Sequence, residues 1–243
     1  MSTAAMPFPP FLGLLGIEPL RAAFEFAGMH LMDRSSLPAG DGHPVVFFPG
    51  LATDQRAIAP LRNCCERLGY SVHDWELGLN TGPQGHIGDW LAGLADHVQA
   101  VSDAHGRRAS LVGWSLGGVY AREIAKLVPD AVRQVVTLGT PFGGTGNNSN
   151  VGWLYGALNV QPSASDITLS VRLSTTPDVP TTSVYSRSDG VVSWEACMLR
   201  AGRRAENIEV DGSHLGLPWN PKVISVVADR LAQPEGAWSR WKG

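Results

Sequence analysis

The feature that most restricts this chain is the pentapeptide Gly113-Trp114-Ser115-Leu116-Gly117, because of what lies on either side of it. Before it runs Ala109-Ser110-Leu111-Val112, a short, mostly apolar strand; after it, Val119 to Leu127 has helical period and is closed by Pro129. A G-x-S-x-G pattern alone arises readily by chance in a chain this rich in glycine and serine. Set between strand and helix, it predicts a sharp turn that strains the serine backbone and exposes its Oγ. A turn of that kind belongs to an α/β architecture.

From residue 44 onward the same rhythm repeats, with short apolar runs ending in glycine or proline and longer helical segments between them. Strands are expected at Val45–Phe48, stopped by Pro49-Gly50, and at Tyr70–Trp75, Ala109–Gly113, Val132–Leu138, Thr181–Tyr185 and Ala205–Val210. The first helix should be capped near Thr53 or Asp54 and carry Ile58, Leu61, Cys65 and Leu68 on one face. Others are expected over Asp89–Ala104, Val119–Leu127, Ser193–Leu199 and Pro221–Leu231. The 243 residues suit one domain, residues 1–243, opened by a strap over 1–43 with an amphipathic helix around Glu18 to Leu31. Residues 145–178 break the rhythm and read as a small inserted cap, apolar from Val151 to Val160.

Composition removes several classes of function. A formal net charge of −3 supplies no field to hold nucleic acid, and the basic clusters at Arg200, Arg203 and Arg204 and at Arg240 and Lys242 read as solvated faces. The seven histidines form no HxH or HExxH pair and there is no CxxC, so no metal and no cofactor is expected. Three cysteines, two of them adjacent as Cys64-Cys65, do not make a disulfide framework, which points to a reduced, cytoplasmic protein. The apolar stretch from Met6 to Ile17 contains three prolines and has no basic residue before it. It therefore reads as neither a signal peptide nor a transmembrane segment but as a packed strap, with weak contact at a lipid interface as the alternative. Oligomeric state is left open.

A serine hydroxyl becomes a nucleophile only beside a base that takes its proton, and that base needs a group to fix its tautomer. His214 is the one histidine after Ser115, in the loop Asp211-Gly212-Ser213-His214-Leu215-Gly216 that follows the strand ending at Val210. The carboxylate should leave the preceding strand end, where Tyr185-Ser186-Arg187-Ser188-Asp189-Gly190 supplies Asp189. Asp178 and Asp211 are rivals, the first placed before its strand and the second too near His214 in sequence for an easy bond to Nδ1. For the oxyanion, the amide after the serine, Leu116, needs a second donor, and the Leu51 amide after Pro49-Gly50 is the candidate. Trp114, Trp153 and Leu217, with Leu154 and Leu158, are candidates to line an acyl site.

With these residues in view, the chain resembles the α/β-hydrolase superfamily, most of all its bacterial lipases and carboxylesterases. The resemblance rests on Pro49-Gly50-Leu51, the elbow with its doubled Gly117-Gly118, Val136-Thr137-Leu138-Gly139-Thr140-Pro141, Tyr185 through Val192, and Gly212-Ser213-His214. Two positions depart from it: many lipases have His-Gly where Pro49-Gly50 stands, and Trp114 replaces a commoner His. The resemblance implies a reduced, mostly parallel sheet of about six strands with helices on both faces and a small cap. It also implies a serine esterase acting through an acyl-enzyme on small-molecule acyl esters of short to medium chain. Acyl transfer, perhydrolysis, C–C hydrolysis and non-catalytic binding are the alternatives on the same scaffold.

Overall fold

The computed structural model describes residues 12–142, 171–200 and 202–243. Its elements run α1 (Leu12–Leu31), β1 (Pro44–Phe48), α2 (Ala59–Arg67), β2 (Ser71–Asp74), α3 (Ile87–His105), β3 (Ala109–Trp114), α4 (Leu116–Leu127), β4 (Val132–Leu138), β5 (Thr181–Tyr185), β6 (Ala205–Glu209) and α5 (Pro221–Ala232). The six strands form one sheet in the order β2-β1-β3-β4-β5-β6, and every pairing is parallel.

Strand residues alternate between two cores, as the period of two requires. Val46, Phe48 and Leu111 pack with α3 and α4 on one face. Val45, Phe47 and Val112 pack with α2 and α5 on the other, joined by Met29 of α1. Because β1, β3, β4 and β5 are covered on both sides, all their residues are buried. Such strands read as continuous apolar runs.

The order of strands decides where a site can form. From β1 the chain moves outward to β2 and then returns past β1 to β3, so successive connections leave β1 and β3 in opposite directions. A crevice opens at the carboxyl ends of such a strand pair. The carboxyl end of β1 is Pro49-Gly50-Leu51 and that of β3 is Trp114-Ser115.

Local details differ from expectation in three places. α2 begins at Ala59, because the Asp54 carboxylate accepts from the Arg56 amide at 2.9 Å and closes a turn of its own instead of capping a helix. Between Ser193 and Leu199 there is only a single 3-10 turn, Trp194–Cys197. α1 starts at Leu12 and runs for 20 residues, so the described part of the strap is mostly one helix. The expected cap falls largely outside the described residues; its end returns at Leu173, which joins the core beside α4.

At the elbow, backbone meets backbone with no room between. A Cβ on Gly117 would stand 2.2 Å from the Phe48 carbonyl oxygen, and one on Gly113 2.4 Å from Gly118 Cα. The start of α4 can lie against the ends of β1 and β3 only because these positions lack side chains. Gly117→Ala is therefore expected to cost about 1–3 kcal/mol of stability by overpacking, measured as a lowered midpoint in urea denaturation at unchanged slope.

Candidate active site

Ser115 sits between β3 and α4 with φ 54° and ψ −123°, a conformation that L residues avoid and that the flanking contacts impose. Its amide donates to the Leu138 carbonyl at 2.8 Å, which ties the turn to β4. The hydroxyl faces His214, with Oγ 3.0 Å from Nε2. On the far side of the ring, Nδ1 lies 2.7 Å from Asp189 Oδ2. All three residues are buried.

Each partner is held in turn. The other oxygen of Asp189 accepts from the amides of Val191 at 2.8 Å and Val192 at 2.7 Å, so the carboxylate is fixed at both ends. Ser186 joins the two loops, its hydroxyl donating to the Gly212 carbonyl at 2.7 Å and accepting from the Gly212 amide at 3.2 Å. Gly139, at φ 53°, passes beneath the pair; a Cβ there would stand 3.1 Å from His214 Nδ1, 3.2 Å from Asp189 Oδ2 and 2.7 Å from Leu217 Cδ1.

The rival carboxylates are elsewhere. Asp211 is 96% exposed and accepts from the Ser188 hydroxyl. Asp178 lies before β5, where its carbonyl is approached by Arg204.

The loop after β1 runs alongside the elbow: a Cβ on Gly50 would stand 3.4 Å from Ser115 Cβ. Leu116 opens α4, so its amide is among those a helix leaves without an internal partner. Among the described residues neither the Leu116 nor the Leu51 amide finds a protein acceptor. Sequence reasoning missed what shapes this loop. Asn80, fully buried, donates to the Pro49 carbonyl at 2.8 Å, its own carbonyl accepts from Ala52 at 2.7 Å, and its amide donates to the Thr53 carbonyl at 2.8 Å. These bonds hold Ala52 at φ 58° and set the bend. Only the small residues around Asn80 hint at this from sequence.

Trp114 and Leu217 were expected to line an acyl site, but both belong to the core beneath it. Leu217 has no exposure, and Trp114 turns its indole inward to donate to the His214 carbonyl at 3.1 Å. Their contribution is to support the histidine loop. Trp153, Leu154 and Leu158 lie outside the described residues.

A second serine, histidine and aspartate line up at the opposite end of the sheet. His43 Nδ1 meets Asp41, and Nε2 lies 2.8 Å from Ser110 Oγ. Here the serine is the second residue of β3, beside a shift in its register with β4, and both His43 and Ser110 are completely buried. Burial pushes the His43 imidazole below its ordinary value of 6.5, against the upward pull of Asp41. Burial also opposes ionisation of Asp41, but hydrogen bonds from Arg133 and His43 outweigh it and hold the carboxyl well below its usual range. The folded chain thus keeps His43 neutral where the unfolded chain would protonate it. The unfolded state binds more protons below the ordinary value, so this part of the stability is present above about pH 6.5 and is lost as pH falls through the depressed folded value. His43→Gln should flatten the decline in unfolding free energy between about pH 7 and pH 5, measured by urea denaturation across that range.

Several solved structures share this fold. An Aspergillus fumigatus lipase B superposes with a TM-score of 0.62 at 19% identity over 84% of this chain, which spans 56% of the length of that protein. A Bacillus licheniformis lipase in its mature form matches at 0.59 and 18% identity, covering 83% of this chain and 96% of its own. A monoacylglycerol lipase from Paleococcus ferrophilus matches at 0.58 and 13%, covering 81% and 96%. The chain has the α/β-hydrolase fold. No family model matches the sequence. In this hydrolase fold the six parallel strands and the helices on both faces agree with the architecture expected from sequence. Among the described residues no helix is long and apolar enough to cross a membrane.

Proposed function

We propose that the chain is a serine carboxylic-ester hydrolase. The observation that carries this reading is the unbroken line from Ser115 Oγ through His214 to Asp189 Oδ2, beside the Leu51 and Leu116 amides at the carboxyl ends of β1 and β3, which find no protein acceptor among the described residues. In the proposed reaction Ser115 Oγ attacks the acyl carbon as His214 Nε2 takes its proton. Asp189 keeps the remaining ring proton on Nδ1 and stabilises the imidazolium. The Leu116 and Leu51 amides hold the oxyanion, aided by the N-terminal dipole of α4. His214 then protonates the departing alkoxide, which leaves as the alcohol. It next removes a proton from water, whose oxygen attacks the acyl-Ser115 carbonyl, and finally returns that proton to Ser115 as the acid is released.

The small size of the inserted cap, residues 145–178 of the sequence, supports short to medium acyl chains, and the names of the superposed lipases fit an ester substrate. Turnover of p-nitrophenyl esters across acyl lengths tests this: activity should peak at short to medium chains. Ser115→Ala should lower kcat/KM by about 10,000-fold or more, whereas Ser110→Ala retains it. Absence of turnover at every length, or equal loss in both variants, would overturn the assignment.

The outer face of α1 leaves Leu20 59%, Phe24 70% and Leu31 88% exposed. We take this face as the weak lipid contact through which apolar esters are met. Phe24→Ser should lower co-sedimentation with phosphatidylcholine vesicles; unchanged sedimentation would contradict the contact.

A further inference from the structure

α1 has its polarity turned the wrong way for a surface helix. Along its 20 residues the only formally charged side chains are Glu18, Arg21 and Glu25, whose spacings of three and four put them on one face. That face is turned to the body of the protein: Glu18 is 1% exposed, while Leu20 and Phe24 point outward. An ionic residue is buried only where hydrogen bonds replace its water.

The bonds that replace it all run to two loops. One Glu18 oxygen accepts from the amides of Gly190 at 2.7 Å and His214 at 3.0 Å, and the other accepts from Leu215 at 3.0 Å. Glu25 accepts from the Ser213 amide at 2.6 Å and the Ser213 hydroxyl at 3.0 Å. Arg21 donates to the Ser188 carbonyl and, at 2.7 Å, to the Ser188 hydroxyl. Ser188 and Gly190 flank Asp189; Ser213 and Leu215 flank His214. Both loops also carry glycine where α1 presses on them. A Cβ on Gly190 would stand 2.6 Å from the Leu14 carbonyl carbon, and one on Gly216 1.5 Å from a Glu25 oxygen.

We propose that Glu18, assisted by Arg21 and Glu25, is the positioning residue of the active site: one buried carboxylate fastens the Asp189 loop to the His214 loop. None of the three touches the reacting atoms. Glu18 acts through the backbone, fixing the relative placement of Asp189 and His214. The charged groups around the His214 loop are Asp189, Glu18 and Glu25, with Arg21 between the two glutamates and Asp211 turned to solvent. A glutamine at position 18 would keep the shape but lose the charge, and would set an N–H₂ donor against an amide donor.

This inference rests on the proposed hydrolase reading, so the test begins with turnover by the unaltered protein, whose failure would sink that reading alone. Glu18→Gln should then lower kcat by about 10- to 100-fold at nearly constant KM, as expected of misplacement on the scale of an ångström. The proton NMR resonance of the His214 Nδ1–H, which reports the contact with Asp189, should shift or broaden. That last readout needs no substrate. Activity is normalised to the sites that a fluorophosphonate can phosphonylate, which removes any loss through unfolding. Glu25→Gln, on the less buried carboxylate, serves if Glu18→Gln does not fold, with a smaller drop of the same pattern expected. Unchanged kcat per labelled site and an unmoved resonance in the folded variants would overturn the proposal.

Discussion

The close approach of the α4 N-terminus to the ends of β1 and β3 is the contact on which the rest of the site depends. Gly113, Gly117 and Gly118 leave no room for side chains there; a Cβ on Gly118 would stand 2.0 Å from Thr140 Oγ1. Ser115 is consequently forced to positive φ, its hydroxyl is aimed at His214, and the Leu116 amide is left at a helix N-terminus with the Gly50 loop alongside. Strain at one residue is affordable because the surrounding sheet and helix over-determine it. The histidine and the aspartate then need only reach the same point from later strand ends.

Alignment of three residue types is not enough to make a reactive serine. Ser110, His43 and Asp41 form a comparable line, yet that serine lies within β3, completely buried and without the positive φ of Ser115. The two arrangements share hydrogen-bond geometry and differ in the backbone around the hydroxyl. The backbone, more than the side-chain trio, sets Ser115 apart.

The strands were legible because doubly covered parallel strands must be apolar throughout, as Val45–Phe48 and Val132–Leu138 are. Ser115, Asp189 and His214 could be singled out because the topology calls for residues at successive strand ends, and few candidates stood there. Burial and facing were harder to read. Asn80 looks like an ordinary loop residue until its neighbours enclose it, and Trp114 and Leu217 look like acyl contacts until the sheet covers them. Asp54 looked like a helix cap, but its side chain found a nearer amide in Arg56. In α1 the periodicity was visible while its direction was not: the spacing of Glu18, Arg21 and Glu25 defines a face without saying that the loops after β5 and β6 offer amides to it.

Among all these elements, the claim that carries the account is that Ser115 is a nucleophile activated by His214. Labelling with a fluorophosphonate, followed by peptide mapping, addresses it without any assumption about substrate. The account predicts one phosphonyl group per chain, located on Ser115, with the rate of labelling greatly reduced in His214→Ala. Labelling on another residue, or equal labelling of Ser115→Ala, would contradict it.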